Sequence, residues 1–390
     1  MLLYFLIFGV SIVWYFSVYN NEKKRKEVKP FFFFFLFLAL FVGFADMLGG
    51  YDRYIYAELF DSTADTTDSG GSYLNSAIIG YGKEFGYVLL NIFLSHITAN
   101  RYVFILVVTC IVYILIFFSI KEYVNDYSFA CILFLGLMFF FTFTYLREII
   151  GMSVAWLSLK YIYRRELKKF LLVMLIAFSF HNSAVVFLPM YFIPIRKYKM
   201  SYVAIIMVFL FIVGLSSVPA ALFLRFGELA ASEDRVLYYA QEYEHNGFRI
   251  EYLLEVFVFL AIIFVHYRHI PDNRKYLVFL NSSLMFCAIL LFFVRSSSGG
   301  RLGWYYMIGI IALFTEIATK HRILNKMNLS LVALSGLLYI RILWAWGGYL
   351  YPYKTFLTDG FREGDGIHDR FEYDNNYDED KFYRPIFRIK

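Results

Sequence analysis

Charge is scarce in this chain. Charged residues occupy 17% of its 390 positions, against 60% apolar and 22% aromatic residues, and the mean hydropathy is +0.58. A soluble domain has no use for so much apolar surface, so the composition excludes that class and reads as a polytopic membrane protein. The charges gather in short clusters and beyond Thr358, and the formal balance of +6 therefore says little about nucleic acid, which is not expected as a partner. Cysteine is scarcer still, with three residues. Cys110, Cys131 and Cys287 lie inside apolar runs without paired spacing, which argues against a disulfide framework or a thiolate metal site. No Asp-x-Asp pair of the kind that holds a metal for a nucleotide sugar occurs outside Asp378-Glu379-Asp380, in a tail where acidic runs are usually solvated. No metal and no cofactor are expected. An internal repeat, which a transporter built from two similar halves would show, is missing too.

What is present is a series of apolar runs separated by basic clusters. The first run, Met1 to Tyr19, has neither a basic leader nor a small-residue cleavage site, and its positive charges follow it, so it reads as a retained anchor helix. The cluster Lys23 to Lys29 then lies in the cytoplasm and the N-terminus outside. Four further clusters, Lys160 to Lys169, Arg196 to Lys199, Arg268 to Lys275 and Lys320 to Lys326, are assigned to the cytoplasm by the same rule. Runs near 101–120, 127–145, 147–163, 202–220, 251–267, 277–294, 302–319 and 328–347 reach a spanning length of about 20 residues. With the first two they predict about ten transmembrane helices in an all-α fold. This leaves outer loops at about 46–85, 216–250 and 295–301, a single transmembrane domain over 1–357, and a charged tail over 358–390.

Two segments break the parity of that scheme. Gly86 to Ile97 is one apolar run too many, and is predicted to be interfacial or re-entrant. Phe170 to Ile193 has basic clusters on both sides, is interrupted by His181-Asn182-Ser183 and contains Pro189, so two half-helices entering and leaving from the cytoplasm fit it. One long helix with a hydrogen-bonded histidine is the alternative, and it would leave the 196–199 cluster on the wrong side. Broken helices at membrane depth are tolerated where they are buried in protein or line a cavity.

Ionisable residues inside membrane-grade sequence mark a site by default, and the block from Tyr145 to Pro194 holds the most informative ones: Arg147, Glu148 and His181. Arg147, Arg295 and Arg301 lie at outer helix boundaries, where three guanidinium groups would suit phosphate oxygens through bidentate hydrogen bonds. Each also has a plainer reading, as an ion-pair partner or as a side chain reaching the headgroups. His181 stands at the helix break, where burial and neighbours can tune its pKa or where it can simply bond a helix end, and Asp52 and Glu84 are carboxylates of the first outer loop, where exposed carboxylates are ordinary. The outer loops combine aromatic rings with carboxylates and amides, a mixture that suits sugars and equally suits a membrane-interface belt.

These features come in an order that resembles the EpsG family of Wzy-like polysaccharide polymerases. The residues carrying the resemblance are Gly-Tyr-Asp52-Arg53-Tyr-Ile-Tyr, Lys-Glu84-Phe-Gly-Tyr-Val-Leu-Leu-Asn, Arg147-Glu148-Ile-Ile-Gly-Met-Ser, Phe-His181-Asn-Ser-Ala, Arg301-Leu-Gly-Trp-Tyr305-Tyr and the late Tyr-Pro-Tyr-Lys354. The resemblance covers residues 1 to about 357, and the tail departs from it. It implies a metal-independent membrane glycosyltransferase of the broad GT-C kind in the bacterial inner membrane. Such an enzyme would join undecaprenyl-pyrophosphate-linked repeat units, as donor and acceptor, into an O-antigen, capsule or exopolysaccharide at the outer face, working beside a flippase and a chain-length regulator. In that reading His181, Asp52 and Glu84 are catalytic candidates, and Arg147, Glu148, Arg295, Arg301, Tyr305 and Arg53 bind pyrophosphate or substrate. A lipid-linked oligosaccharide flippase and a membrane-bound acyltransferase using His181 are the alternatives.

Overall fold

The computed structural model describes residues 1–46, 51–226, 236–237, 240–241, 243, 247–320, 325–351, 353–357 and 381–388. Among them the chain is all-α, with one isolated antiparallel bridge, Ala45 to Thr355, and no strand. The principal helices are α1 (Leu2–Val18), α2 (Val28–Phe44), α3 (Tyr51–Ser69), α4 (Phe85–Ser95), α5 (Arg101–Tyr123), α6 (Tyr127–Leu137), α7 (Leu146–Leu157), α8 (Leu167–Phe180), α9 (Met200–Leu215), α10 (Val218–Phe226), α11 (Ile250–His266), α12 (Arg274–Phe292), α13 (Ser298–Trp304), α14 (Met307–Lys320) and α15 (Lys326–Ala345). Asn100, Asp126, Asn273 and Asn325 start α5, α6, α12 and α15 by accepting a hydrogen bond from a backbone N–H of the first turn, the usual role of short polar side chains at that position.

The helices are those of a multi-pass membrane protein. In α1 the buried residues Tyr4, Ile7, Ser11, Tyr15 and Val18 recur every three or four positions, while Leu2, Leu3, Leu6, Val10 and Val13 remain exposed. Both faces are therefore apolar, as they must be when the outer face meets lipid tails rather than water. Among the described residues, six helical segments are long and apolar enough to cross a membrane, or seven if the pair α13 and α14, bent by 61°, is one broken span.

The chain divides into two compact units, 1–150 with 179–181 and 321–390, and 151–178 with 182–320. In the first, α2 packs along α5 and α6 along α15; Gly136 permits the second contact, since a Cβ there would stand 2.6 Å from the Ser335 carbonyl oxygen. In the second, α12 is central and packs on α9, α11, α13 and α14.

The structure refines several expectations. The outer loop at 46–85 contains α3, whose buried Arg53, Tyr56, Ala57, Phe60, Thr63 and Ala64 follow helical spacing between polar residues. The run at 127–145 is an α-helix only to Leu137 and continues as a 3-10 segment, Phe139–Phe143. The run at 147–163 is interrupted at Ser158, whose hydroxyl donates back to the Ala155 carbonyl at 2.6 Å, a bond that bends helices. The loop at 295–301 is partly helical, because α13 begins at Ser298 and so contains Arg301 rather than following it. Most of the 216–250 loop after α10, and the Asp378–Asp380 run with the rest of 358–380, lie outside the described residues.

Both irregular segments double back. Residues 73–84 descend along α3, with Tyr73 bonded to Thr67 at 2.9 Å and Ser76 facing Ser62 at 3.4 Å. After Glu84, α4 returns beside the same helix, from Tyr87 near Tyr56 to Ser95 bonded to Thr67 at 2.6 Å. Ala77–Ser95 has the length and composition of a span, yet it is a hairpin with Glu84 at its tip. Likewise α8 stops at Phe180, His181 is non-helical, and the 3-10 segment Asn182–Tyr191 runs back along α8. The Tyr191 carbonyl accepts from Arg165 at 3.1 Å, and its ring lies 5.1 Å from that of Phe170.

Candidate functional site

The tip of the first hairpin and the tip of the second meet in the first unit. Glu84 ends the descending limb and is 6% exposed. One of its carboxylate oxygens accepts from Arg147 Nη1, and the other stands 3.8 Å from His181 Nε2. That second separation suits an ion pair with a protonated imidazole and is too long for a direct hydrogen bond. Glu84 is thus the common neighbour of two residues that the sequence separates by more than thirty positions.

A glycine makes the meeting possible. A Cβ on Gly86, in the first turn of α4, would collide with the Ser179 hydroxyl and lie 3.1 Å from the Ser179 carbonyl carbon. The absence of a side chain lets residues 179–181 approach Glu84.

Arg147 lies in the first turn of α7 and is 6% exposed. A cation there is opposed by the helix dipole, so its burial depends on the partners around it. Beside Glu84, these are three aromatic rings, with centroids at 4.2 Å for Tyr81, 5.4 Å for Tyr56 and 5.6 Å for Tyr87. Ring faces attract a guanidinium without accepting its hydrogen bonds. Nε accordingly has no hydrogen-bond partner among the described residues, and the protein does not saturate the group. Glu148, the next residue, is buried in the same turn.

Asp52 lies in the first turn of α3, half-buried, and shares a helix face with Tyr56 four residues on. Arg53 has a different environment. It is fully buried, with Nη2 donating to the carbonyls of Val42 at 3.1 Å, Gly43 at 3.2 Å and Ala45 at 2.6 Å, and Nη1 to Phe143 at 3.3 Å. These are carbonyls at the C-terminal ends of α2 and of the 3-10 segment Phe139–Phe143, where a cation is favoured.

The remaining candidates belong to the second unit. Arg295, half-buried after α12, donates to the Leu215 carbonyl at 3.4 Å and lies 5.5 Å from the Tyr243 ring. Arg301 is half-buried within α13. Tyr305 is fully buried and shares a 2.9 Å hydrogen bond with Ser183. The Phe-His-Asn-Ser-Ala motif is thereby divided, with His181 in the first unit and Ser183 fixed to the aromatic block of the second.

The structure therefore brings Arg147, Glu84 and His181 together and sets Arg53 among main-chain carbonyls. Sequence reasoning missed Tyr56, Tyr81, Tyr87 and Gly86. Their signal lay in the Tyr- and Gly-rich blocks around Asp52 and Glu84, where it could not be told from an interface belt. A group of three or more potential metal-ligating side chains does not occur among the described residues.

No curated protein and no solved structure gives a significant match to the chain. A family model does, over residues 28–355, a range that holds both hairpins and every residue of the Arg147 cluster. By that match the chain belongs to the EpsG family, a family of Wzy-like polysaccharide polymerases.

Proposed function

We propose that the chain polymerises lipid-linked oligosaccharide repeat units, moving a growing glycan from its isoprenoid pyrophosphate carrier onto the next carrier-linked unit at the outer face of the bacterial inner membrane. The observation that carries this reading is the buried Arg147–Glu84–His181 cluster at the tips of two hairpins. The reaction forms a bond between the acceptor hydroxyl oxygen and the anomeric carbon, breaks the bond from that carbon to the pyrophosphate oxygen, and releases the hydroxyl proton. A guanidinium suits the charge that develops on the leaving pyrophosphate, so Arg147 is assigned to it and the reaction is proposed to run without a metal. His181 is assigned to the proton and Glu84 to orienting His181 while holding Arg147. Asp52 is kept as a sugar contact, and Glu148 as part of the Arg147 turn. Arg295, Arg301 and Tyr305 are kept as further substrate-binding residues on the strength of the sequence. The environment of Arg53 supports a structural part instead of a phosphate contact.

The reading includes about ten crossings in a GT-C-like arrangement. Among the described residues it is supported by five of the six long apolar helices, the bent pair, the three shorter apolar helices α1, α6 and α9, and the broken run 146–163. The donor and acceptor are proposed to be undecaprenyl-pyrophosphate-linked, with a flippase supplying them and a chain-length regulator acting on the product.

The test is Arg147→Ala and Arg147→Lys in the native host. Removing a donor aimed at developing charge costs about 100-fold in rate or more, and lysine lacks the planar fork, so both variants are expected to leave single repeat units in place of long surface polysaccharide. Normal chain length from an inserted Arg147→Ala protein would refute the assignment. In a deletion strain, loss of all surface glycan instead of single capped units would point to a flippase.

A further inference from the structure

The three rings around Arg147 are not equivalent. Tyr56 and Tyr87 are buried in α3 and α4, 4% and 0% exposed. Tyr81 has the nearest ring, yet it is only half-buried and lies in the 3-10 segment Ala77–Glu84 at non-helical φ −101°, ψ 19°. Exposed glycines flank it on both sides, and a Cβ built on Gly80 or on Gly82 would meet nothing within 4 Å. The backbone around this ring faces open space, whereas the other two rings stand on regular α-helices.

A ring on a guanidinium is a weaker partner than a phosphate, which adds charge-assisted hydrogen bonds to the attraction. A pyrophosphate reaching Arg147 therefore competes with the Tyr81 ring and wins. A displaced tyrosine next to a bound pyrophosphate stands beside the first sugar of the glycan, with an aromatic face and a hydroxyl to offer it.

We propose that Tyr81 is a displaceable cap on Arg147 and that, once displaced, it stacks on the sugar attached to the pyrophosphate, which makes it a specificity-determining residue. This rests on the proposed assignment of Arg147 to pyrophosphate. The cap shields the buried charge while the site is empty and yields to the ligand without rearrangement of Tyr56 or Tyr87.

The experiment measures binding to the full chain in lipid nanodiscs with two probes, farnesyl pyrophosphate and farnesyl-pyrophosphoryl N-acetylglucosamine. Tyr81→Ala is expected to bind the sugar-free probe about threefold more tightly than the unmodified protein, because the competing ring is gone. It is expected to bind the sugar-bearing probe no better, or worse, because the stacking face is gone too. Tyr81→Phe keeps the ring and is expected to match the unmodified protein with the sugar-free probe, and an unchanged thermal midpoint in each variant shows that the fold is intact. If Tyr81→Ala gains nothing with the sugar-free probe, or gains equally with both, the cap is overturned while phosphate binding at Arg147 stands. If the probes fail to bind the unmodified protein, or bind Arg147→Ala equally well, the assignment of Arg147 falls and the cap with it.

Discussion

Arg53 and Arg147 are both buried arginines of the first unit, and what their nitrogens touch separates them. Arg53 spends its terminal nitrogens on four main-chain carbonyls, so Arg53→Met would leave helix-end acceptors unpaired and cost about 3 kcal/mol or more of stability. A fall in the thermal midpoint in nanodiscs, with KM for the lipid-linked substrate unchanged in the surviving protein, is the expected result; a changed KM at constant stability would restore Arg53 to the binding site. Gly86 makes a different kind of prediction. Gly86→Ala pushes Ser179 away from α4 and His181 with it, and a displacement of about 1 Å in a reacting group is enough to lower turnover by 100-fold. The double variant Gly86→Ala with Ser179→Gly should recover part of that loss, and equal turnover in all three proteins would show that the approach of 179–181 is not needed. The sequence marks both arginines as costly in membrane and offers nothing to tell an anchor from a ligand contact. That distinction lies in whether nearby acceptors belong to the main chain, which depends on where helices end in space. The histidine was easier to interpret, because a polar triplet inside an apolar run with proline close behind breaks a helix by local chemistry alone.

The tail provides the clearest case at the level of elements. Its described part, 381–388, is strapped to α3 and its surroundings: Lys381 to Asp46 at 2.8 Å, Arg384 to Asp65 at 2.7 Å, and Arg388 to Asp68. Both partners of the first pair are at least 97% buried, whereas Asp65 and Asp68 are more than half exposed. Lys381→Met would strand a buried carboxylate and cost about 3–5 kcal/mol, while the exposed pairs are worth about 1 kcal/mol or less. Urea titrations of Lys381→Met, Arg388→Met and the double variant Asp46→Leu with Lys381→Met should rank in that order of damage, with the double variant regaining stability. Equal small losses throughout would mean that the strap holds nothing. Acidic and basic runs near a chain end normally read as solvated, so the sequence could not show this packing. Nor could it show α3, whose apolar stripe is interleaved with Asp, Ser and Thr and has none of the continuous hydrophobicity by which the spans were recognised.

For the molecule as a whole, composition alone established the all-α, multi-pass class, and parity singled out the two segments that turn out to be hairpins. The spans were legible because lipid requires uniform apolar surface over a fixed length; the contact between the hairpin tips was not, because pairing between distant positions leaves no periodicity. Topology can be checked with an impermeant maleimide on single cysteines, after Cys110, Cys131 and Cys287 are replaced. Cysteines at Ser72 and His96, which flank the first hairpin and are exposed, should both react from outside, and one at Lys23 should not; reaction of 72 and 96 from opposite sides would turn the hairpin into a crossing and shift every later span. The strap also joins what the sequence keeps apart. Lys381 and Asp46 pair across 335 positions, and the first unit is built from segments on either side of the second in the sequence. A variant cut before Lys381 would therefore keep the Asp46 carboxylate buried without its cation, so the segment that carries no catalytic candidate still decides whether the first unit closes over a compensated charge.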